Sequence, residues 1–461
     1  MRLLDTSTFE LRSGEQPSFK EKGYAILSHR WVGLEVTFEQ LSGHTAELRT
    51  GTRPLSTPQL DKIRGACETA REQGIRWMWI DTCCISKAST VEETESINSM
   101  FRWYRDARVC ITYLSDVRKE EEPAGGADTF RSAETGGPSV WFSRGWTLQE
   151  LLAPRDMQFY DTEWNYLGTR AELAGEIAGV TGIEARYLTG ARSSQKACIA
   201  VKMSWMAGRE TAREEDVAYS MLGIFNITMG LQYSEGGARA FARLQEALLA
   251  KTMDESLFAW RMPGPRSRRL YMYNLNLPGF IVKDWAPDDW GLLAPSPEWF
   301  RGCGSLTIEG GQHAERPGGG FLRIQQGTQA YLSSTTTTPR DPVKGLPHQS
   351  PAARQLTAGL LAMTFVLLPF AFWYGHHYDK EGARERLWLH REPFVFTLNC
   401  WHRDGQGRLG AVQVHLRTCS PTSAYMVKRI RCTEYGVHYG EIFTWPWGQG
   451  VVVQPEPDHM Y

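Results

Sequence analysis

A chain of 461 residues exceeds what one ordinary hydrophobic core organises, so two or three domains are expected. Its 51 Lys and Arg nearly cancel 52 Asp and Glu, and a formal charge of -1 argues against a non-specific grip on nucleic acid, which needs a dominant positive field. Hydrophobic residues make up 42%, as in soluble globular chains, and nine Cys scattered without paired CxxC units fit reduced thiols in a cytoplasmic protein rather than disulfides or a zinc site.

The opening "MRLLDTSTFELRSGEQ" has no basic segment followed by an apolar stretch, so no secretory signal is expected. The apolar run "YAILS" (Tyr24–Ser28) reads as a strand. "PQLDKIRGACETAREQG" puts Leu60, Ile63, Cys67 and Ala70 on one helical face. "RWMWID" (Arg76–Asp81) is strand-like, with Asp81 just past its end. Ser89 and Glu92 then form a capping-box pattern, and Ile97, Met100, Phe101 and Tyr104 supply a helical apolar stripe. "VCITYL" (Val109–Leu114) is a third strand, residues 118–138 are a loop rich in Gly, Pro and charge, "WTLQELL" is a helix, and "MQFY" (Met157–Tyr160) is a fourth strand. Strand and helix alternating in this way imply a doubly wound α/β domain whose parallel sheet is flanked by helices.

Residues 166–262 read as a helical extension: "AELAGEIAGV", "VAYSMLGIF" and "ARAFARLQEALLAK" carry helix-spaced apolar residues, the last with Phe241, Leu244 and Leu248 on one face. Residues 263–461 read as a β-rich C-terminal region from "FLRIQQ", "FVFTLNCW", "GAVQVHL" and "GEIFTW". Within it, residues 333–354 are a polar, Pro-containing linker. Residues 359–375, although apolar, are short for a membrane span and contain Pro369, so two buried strands are expected and no membrane crossing.

In open α/β sheets ligands bind at the carboxyl ends of the strands. Three polar sets map there: "SHRW" (Ser28, His29, Arg30, Trp31) after the first strand, "DTCC" starting at Asp81 after the second, and "SRGWTLQE" with Arg144, Trp146 and Glu150 after the third. Together they would make a pocket for a charged, aromatic small molecule. Each residue also has a purely structural reading. Arg30 could hold a salt bridge, Asp81 could cap a turn, His29 and Trp146 could be packed side chains, and Glu150 could be a helix-face carboxylate.

The ordered words "YAILSHRW", "WMWIDTCCIS", "INSMFRWYRDARVCITYLSDV" and "WFSRGWTLQELLAP" resemble the fungal heterokaryon incompatibility (HET) domain. Downstream, "REEDVAYSMLGIFNITMGLQYSEGGARAFARLQEALL" and "DESLFAW" resemble the tail of the same family, so the likeness runs from about residue 20 to 300. The chain is similar, more distantly, to TIR domains, whose "FLSFRG", "FID", "ISIVVFS" and "S-x-WCLxEL" have counterparts here in the same order. The resemblance implies a TIR-like, flavodoxin-like sheet over residues 1–165. It also implies that Glu150 is the acid that cleaves NAD⁺, with no permanently bound cofactor and no metal. Ser28, His29, Arg30, Trp31, Asp81, Arg144 and Trp146 would then line the substrate site. Departures are a polar insertion at residues 32–57, "CCISKASTVEETE" in place of a glycine-bearing loop, and Thr147 where TIR domains carry Cys.

The implied output is fungal cell death on allorecognition, by NAD⁺ hydrolysis in a self-associated form. A non-catalytic adaptor that nucleates death assemblies and a nucleotide-binding sensor are the alternatives. No GxxxxGK[ST] motif is present, so a nucleotide-driven trigger would come from another chain, such as an allorecognition or NLR-type partner.

Overall fold

The computed structural model describes residues 1–13, 23–52, 54–119, 129–252, 254–262, 289–290, 293–308, 320–325, 329–334, 394–418, 426–430, 436–438 and 452–453. The chain divides into one compact unit of Met1–Ala197, Lys202–Leu244 and Ser296–Gly304, and a second of Cys198–Val201, Gln245–Pro295 and Ser305–Tyr461.

The first unit is α/β. Strands β1 (Arg2–Asp5), β2 (Leu11–Ser13), β3 (Ala25–His29), β4 (Trp77–Trp79), β5 (Val109–Tyr113), β6 (Met157–Tyr160) and β7 (Tyr166–Thr169) form one sheet in the order β2-β1-β4-β3-β5-β6-β7. The four central strands are parallel, with Ile26 opposite Trp79 and Cys110, and Ile111 opposite Gln158. Their burial explains the unbroken apolar runs: every residue of β3 and β4 is buried, as parallel strands covered on both faces require. The expected parallel sheet is therefore present, but its margins are antiparallel: the β1–β2 hairpin pairs with β4, and β7 with β6. Such short edge strands give no readable alternation, and β7 falls where only helix was expected.

Helices α1 (Phe38–Thr50), α2 (Pro58–Glu72), the single turn α3 (Asp81–Cys84), α4 (Thr90–Asp106) and α5 (Thr147–Leu152) cover the sheet. Helix α2 starts because Thr57 accepts a hydrogen bond from the Leu60 amide while Pro58 supplies a preset φ, and it buries the expected Leu60, Ile63, Cys67 and Ala70. In α4, Ser89 caps the Glu92 amide at 3.3 Å. The reciprocal half of that capping box does not form, because the Glu92 carboxylate instead takes both guanidinium nitrogens of Arg2 and the Ser86 amide. The expected stripe is buried at Ile97, Met100 and Tyr104. Helix α1 lies inside the polar insertion and starts with a full capping box between Thr37 and Gln40.

Beyond β7 the expected helices are present at Ala174–Thr181, Asp216–Tyr219, Leu222–Phe225 and Gly237–Lys251, with Phe241, Leu244 and Leu248 buried. In the second unit, Phe394–Arg403 and Leu409–Thr418 pair antiparallel, and Gly320–Gln325 pairs with Gln329–Ser334. The run "GEIFTW", residues 335–354 and the apolar residues 359–375 lie outside the described residues. Among the described residues no helix is long and apolar enough to cross a membrane.

Candidate active site

The carboxyl ends of the parallel strands hold a dense polar cluster. Ser28, the fourth residue of β3, donates from Oγ to Glu150 Oε2 at 2.5 Å, and Trp141 Nε1 donates to the same Oγ at 3.0 Å. The Tyr104 hydroxyl donates to the Leu27 carbonyl at 3.0 Å and lies beside the Glu150 carboxyl. Glu150 is only 6% exposed. Burial pushes its pKa up to about 8, and the nearby Asp81 adds to the rise, while donation from Ser28, the neighbouring Tyr104 hydroxyl and the Arg209 cation oppose it. Burial therefore favours the protonated carboxyl.

Local chain geometry explains why Glu150 points at the sheet. Residues 140–143 form a single tight turn whose end is fixed by Thr147 Oγ1, which donates to the Trp141 and Arg144 carbonyls at 2.7 and 2.8 Å. Gly145 then passes so close to residues 206–211 that a Cβ there would lie 2.4 Å from Thr211 Cγ2. Any larger residue there would have to push the Thr211 and Met206 side chains aside. Helix α5 follows with all six of its side chains buried, so Glu150 has nowhere to turn but inward.

A second part of the cluster gathers around Asp81. Trp31 Nε1 donates to Asp81 Oδ2 at 2.9 Å, Lys87 Nζ sits 3.4 Å above the Trp31 ring, and His29 Nε2 is 3.6 Å from Asp81 Oδ1. Burial raises Asp81 to about 6, held back by the Trp31 donor and the lysines Lys87 and Lys62. His29 is held well below its ordinary value by burial and then by the same two lysines, so it is a neutral imidazole, and neither ring nitrogen has a hydrogen-bond partner among the described residues. Beneath it, Lys62 and Glu35 form a buried ion pair at 2.6 Å.

Five of the expected residues thus meet at one edge: Ser28 with Glu150, and His29, Trp31 and Asp81 with one another. Arg30 is half-buried and makes no hydrogen bond or ion pair among the described residues. The other two do not join. Trp146 turns away to donate to Asp216 Oδ2 at 3.2 Å, where Tyr233 donates to Oδ1 at 3.1 Å. Arg144 offers its backbone carbonyl to Arg209 Nη1 at 2.9 Å. Both belong to the turn that aims α5.

Sequence reading missed Trp141, Tyr104 and Arg209. Trp141 carried a signal, since a buried indole N–H needs an acceptor, and Tyr104 ended an apolar stripe with a hydroxyl that needed one too. Arg209 carried none; its guanidinium is drawn down to about 9 by burial, against the pull of Glu150.

Residues 24–136 match the family model described as heterokaryon incompatibility protein (HET), and residues 239–316 match a domain of unknown function (DUF8212). Over 250 residues, 54% of this chain, the sequence is 42% identical to the vegetative incompatibility protein HET-E-1 of Podospora anserina. Residues 24–136 thus match the HET domain. The matched segment holds β3, β4 and β5 and therefore Ser28, His29, Arg30, Trp31 and Asp81, whereas Glu150 lies past its last residue. The aligned region spans 18% of the length of the Podospora relative, so only a portion of that protein is represented. No solved structure matches the chain.

Proposed function

We propose that this HET domain acts in heterokaryon incompatibility as a cell-death effector, and that its chemistry is hydrolysis of the nicotinamide N-glycosidic bond of NAD⁺. The observation that carries this reading is the desolvated Glu150 carboxyl at the ends of β3 and β5, bonded to Ser28 and within electrostatic reach of Asp81. The parallel strands run β4-β3-β5-β6, an order that supports a flavodoxin-like reading and in which chain direction across the sheet reverses between β3 and β5. A ligand crevice is expected at that reversal.

The bond to be broken leaves a neutral nicotinamide, so no acid is needed to protonate the departing ring. The transition state needs negative charge beside the ribosyl cation. A carboxyl kept neutral by burial is suited to this, because an approaching cationic nicotinamide riboside favours its ionised form and the low dielectric strengthens the attraction. Ser28 holds one carboxyl oxygen and leaves the other for a ribose hydroxyl. The unpaired Arg30 would meet the diphosphate, and Trp31 would stack on a base. NAD⁺ is substrate in this scheme and no cofactor stays bound. Trp31, Val32 and Leu34 are 46%, 43% and 95% exposed, which supports self-association beside the site.

The test is nicotinamide release by the purified chain at rising concentration, with Glu150→Gln in parallel. Turnover that increases with concentration and vanishes in the variant supports the proposal; an equal rate in both refutes it. One observation favours the adaptor reading instead. Ser28, Trp141 and Tyr104 enclose the carboxyl, so Glu150 could serve only to fix α5. An adaptor would kill without consuming NAD⁺ and would tolerate Glu150→Gln.

A further inference from the structure

Two exposed cations beside the first turn of α4 each sit over an aromatic ring. Lys87 Nζ lies 3.4 Å from the centre of the Trp31 ring, and the Arg213 guanidinium lies 4.0 Å from that of Tyr233. In each stack a carboxylate fixes the ring. Asp81 Oδ2 accepts the Trp31 N–H at 2.9 Å, while Asp216 accepts the Tyr233 hydroxyl on Oδ1 at 3.1 Å and the Trp146 N–H on Oδ2 at 3.2 Å. These acids are occupied by aromatic donors and leave the cations over the rings open. Lys87 makes no hydrogen bond or ion pair among the described residues, and the pairing of Arg213 with Glu93 is long, at 3.9 Å. Lys87, Glu93 and Arg213 lie within electrostatic reach of one another; Glu35, also within reach of Lys87, is bonded to Lys62. Both stacks connect to Glu150: Asp81 acts on its carboxyl through space, and Trp146 belongs to the turn that aims α5.

We propose that Lys87 and Arg213 together hold the diphosphate of the dinucleotide. This deepens the NAD⁺ reading and rests on it for the identity of the ligand. A guanidinium meets phosphate oxygens through a fork of N–H bonds, and an ammonium meets them as a point charge. A long cationic side chain already held over a ring has lost part of its freedom, so less entropy remains to be lost when the anion arrives. Arg30, adjacent in sequence to Trp31, adds a third unpaired cation on the Trp31 side. Glu93 is the competing anion, and a diphosphate that engages both cations binds against its charge.

The test is calorimetric titration of the full chain with ADP-ribose and with adenosine. ADP-ribose carries the diphosphate but no nicotinamide bond, so binding is read without turnover. The expected result is saturable one-to-one binding of ADP-ribose, about tenfold or more tighter than adenosine and weakening as salt rises. Lys87→Gln and Arg213→Gln, exposed changes on separate segments, each weaken ADP-ribose about tenfold, and Glu93→Gln tightens it several-fold. Absence of saturable ADP-ribose binding at millimolar concentration overturns the proposal. So does adenosine binding as tightly as ADP-ribose, or an ADP-ribose affinity untouched by both cation variants. Nicotinamide release tests the NAD⁺ reading separately. Cleavage with an apparent KM for NAD⁺ that neither cation variant raises keeps that reading and overturns the subsite; cation-dependent ADP-ribose binding without cleavage does the reverse.

Discussion

Replacing Glu150 by Gln should stabilise the protein, and by an amount that depends on pH. Gln mimics the protonated carboxyl: its carbonyl can accept the Ser28 proton and no charge is left in the buried site. Glu150 has the ordinary carboxylate pKa of 4.5 when unfolded, and burial pushes it up to about 8 when folded. Below the unfolded value both states hold the proton and the wild type keeps its full stability. As pH rises, the unfolded chain ionises while the folded one does not, and stability is lost until the folded group also titrates. At about 1.4 kcal/mol per pH unit, the gap corresponds to at most about 5 kcal/mol, a large share of a domain's net stability. Urea unfolding of both proteins at pH 4.5, 6 and 8 measures it. The two should match at the lowest pH, with the variant ahead by several kcal/mol at the highest. A difference that stays constant across that range would mean that Glu150 is ionised in the folded protein and would refute the reasoning.

Ser28→Ala strips the acceptor from Trp141 Nε1 and the donor from Glu150 together, and should cost about 1–3 kcal/mol in urea unfolding. His29→Phe removes an imidazole that stays neutral when folded. Because the unfolded histidine takes up a proton below its ordinary value of 6.5 and the folded one does not, wild-type stability falls on acidification; comparing melting at pH 7 and pH 5 should show the variant losing less. If Glu150 must ionise to act, NAD⁺ cleavage should rise with pH below about 8, and a rate flat from pH 5.5 to 8 would contradict that.

The parallel core was legible because fully buried strands leave continuous apolar runs, and "YAILS", "WMW" and "VCITY" each became a strand. The β1–β2 hairpin and β7 were not, since three or four edge residues are held by pairing rather than by their own pattern. The placement of Ser28, His29, Trp31 and Asp81 was readable from position alone, because polar residues at or just past the end of an apolar strand sit at the sheet edge. Glu150 needed the family words, since a carboxylate on a six-residue helix carries no local sign that it will be buried. Trp146 and Arg144 shared those words yet serve the turn, and the Arg209 contact spans more than sixty positions, beyond the reach of any spacing rule.

The most direct measurement is made in living hyphae: cellular NAD⁺ and cell death followed together while the full chain, or its Glu150→Gln form, is induced. NAD⁺ should collapse before death with the wild type and hold steady in surviving cells with the variant, whose fold is at least as stable. Death at an unchanged NAD⁺ level, or killing by both forms alike, would contradict an effector that works through the Glu150 carboxyl.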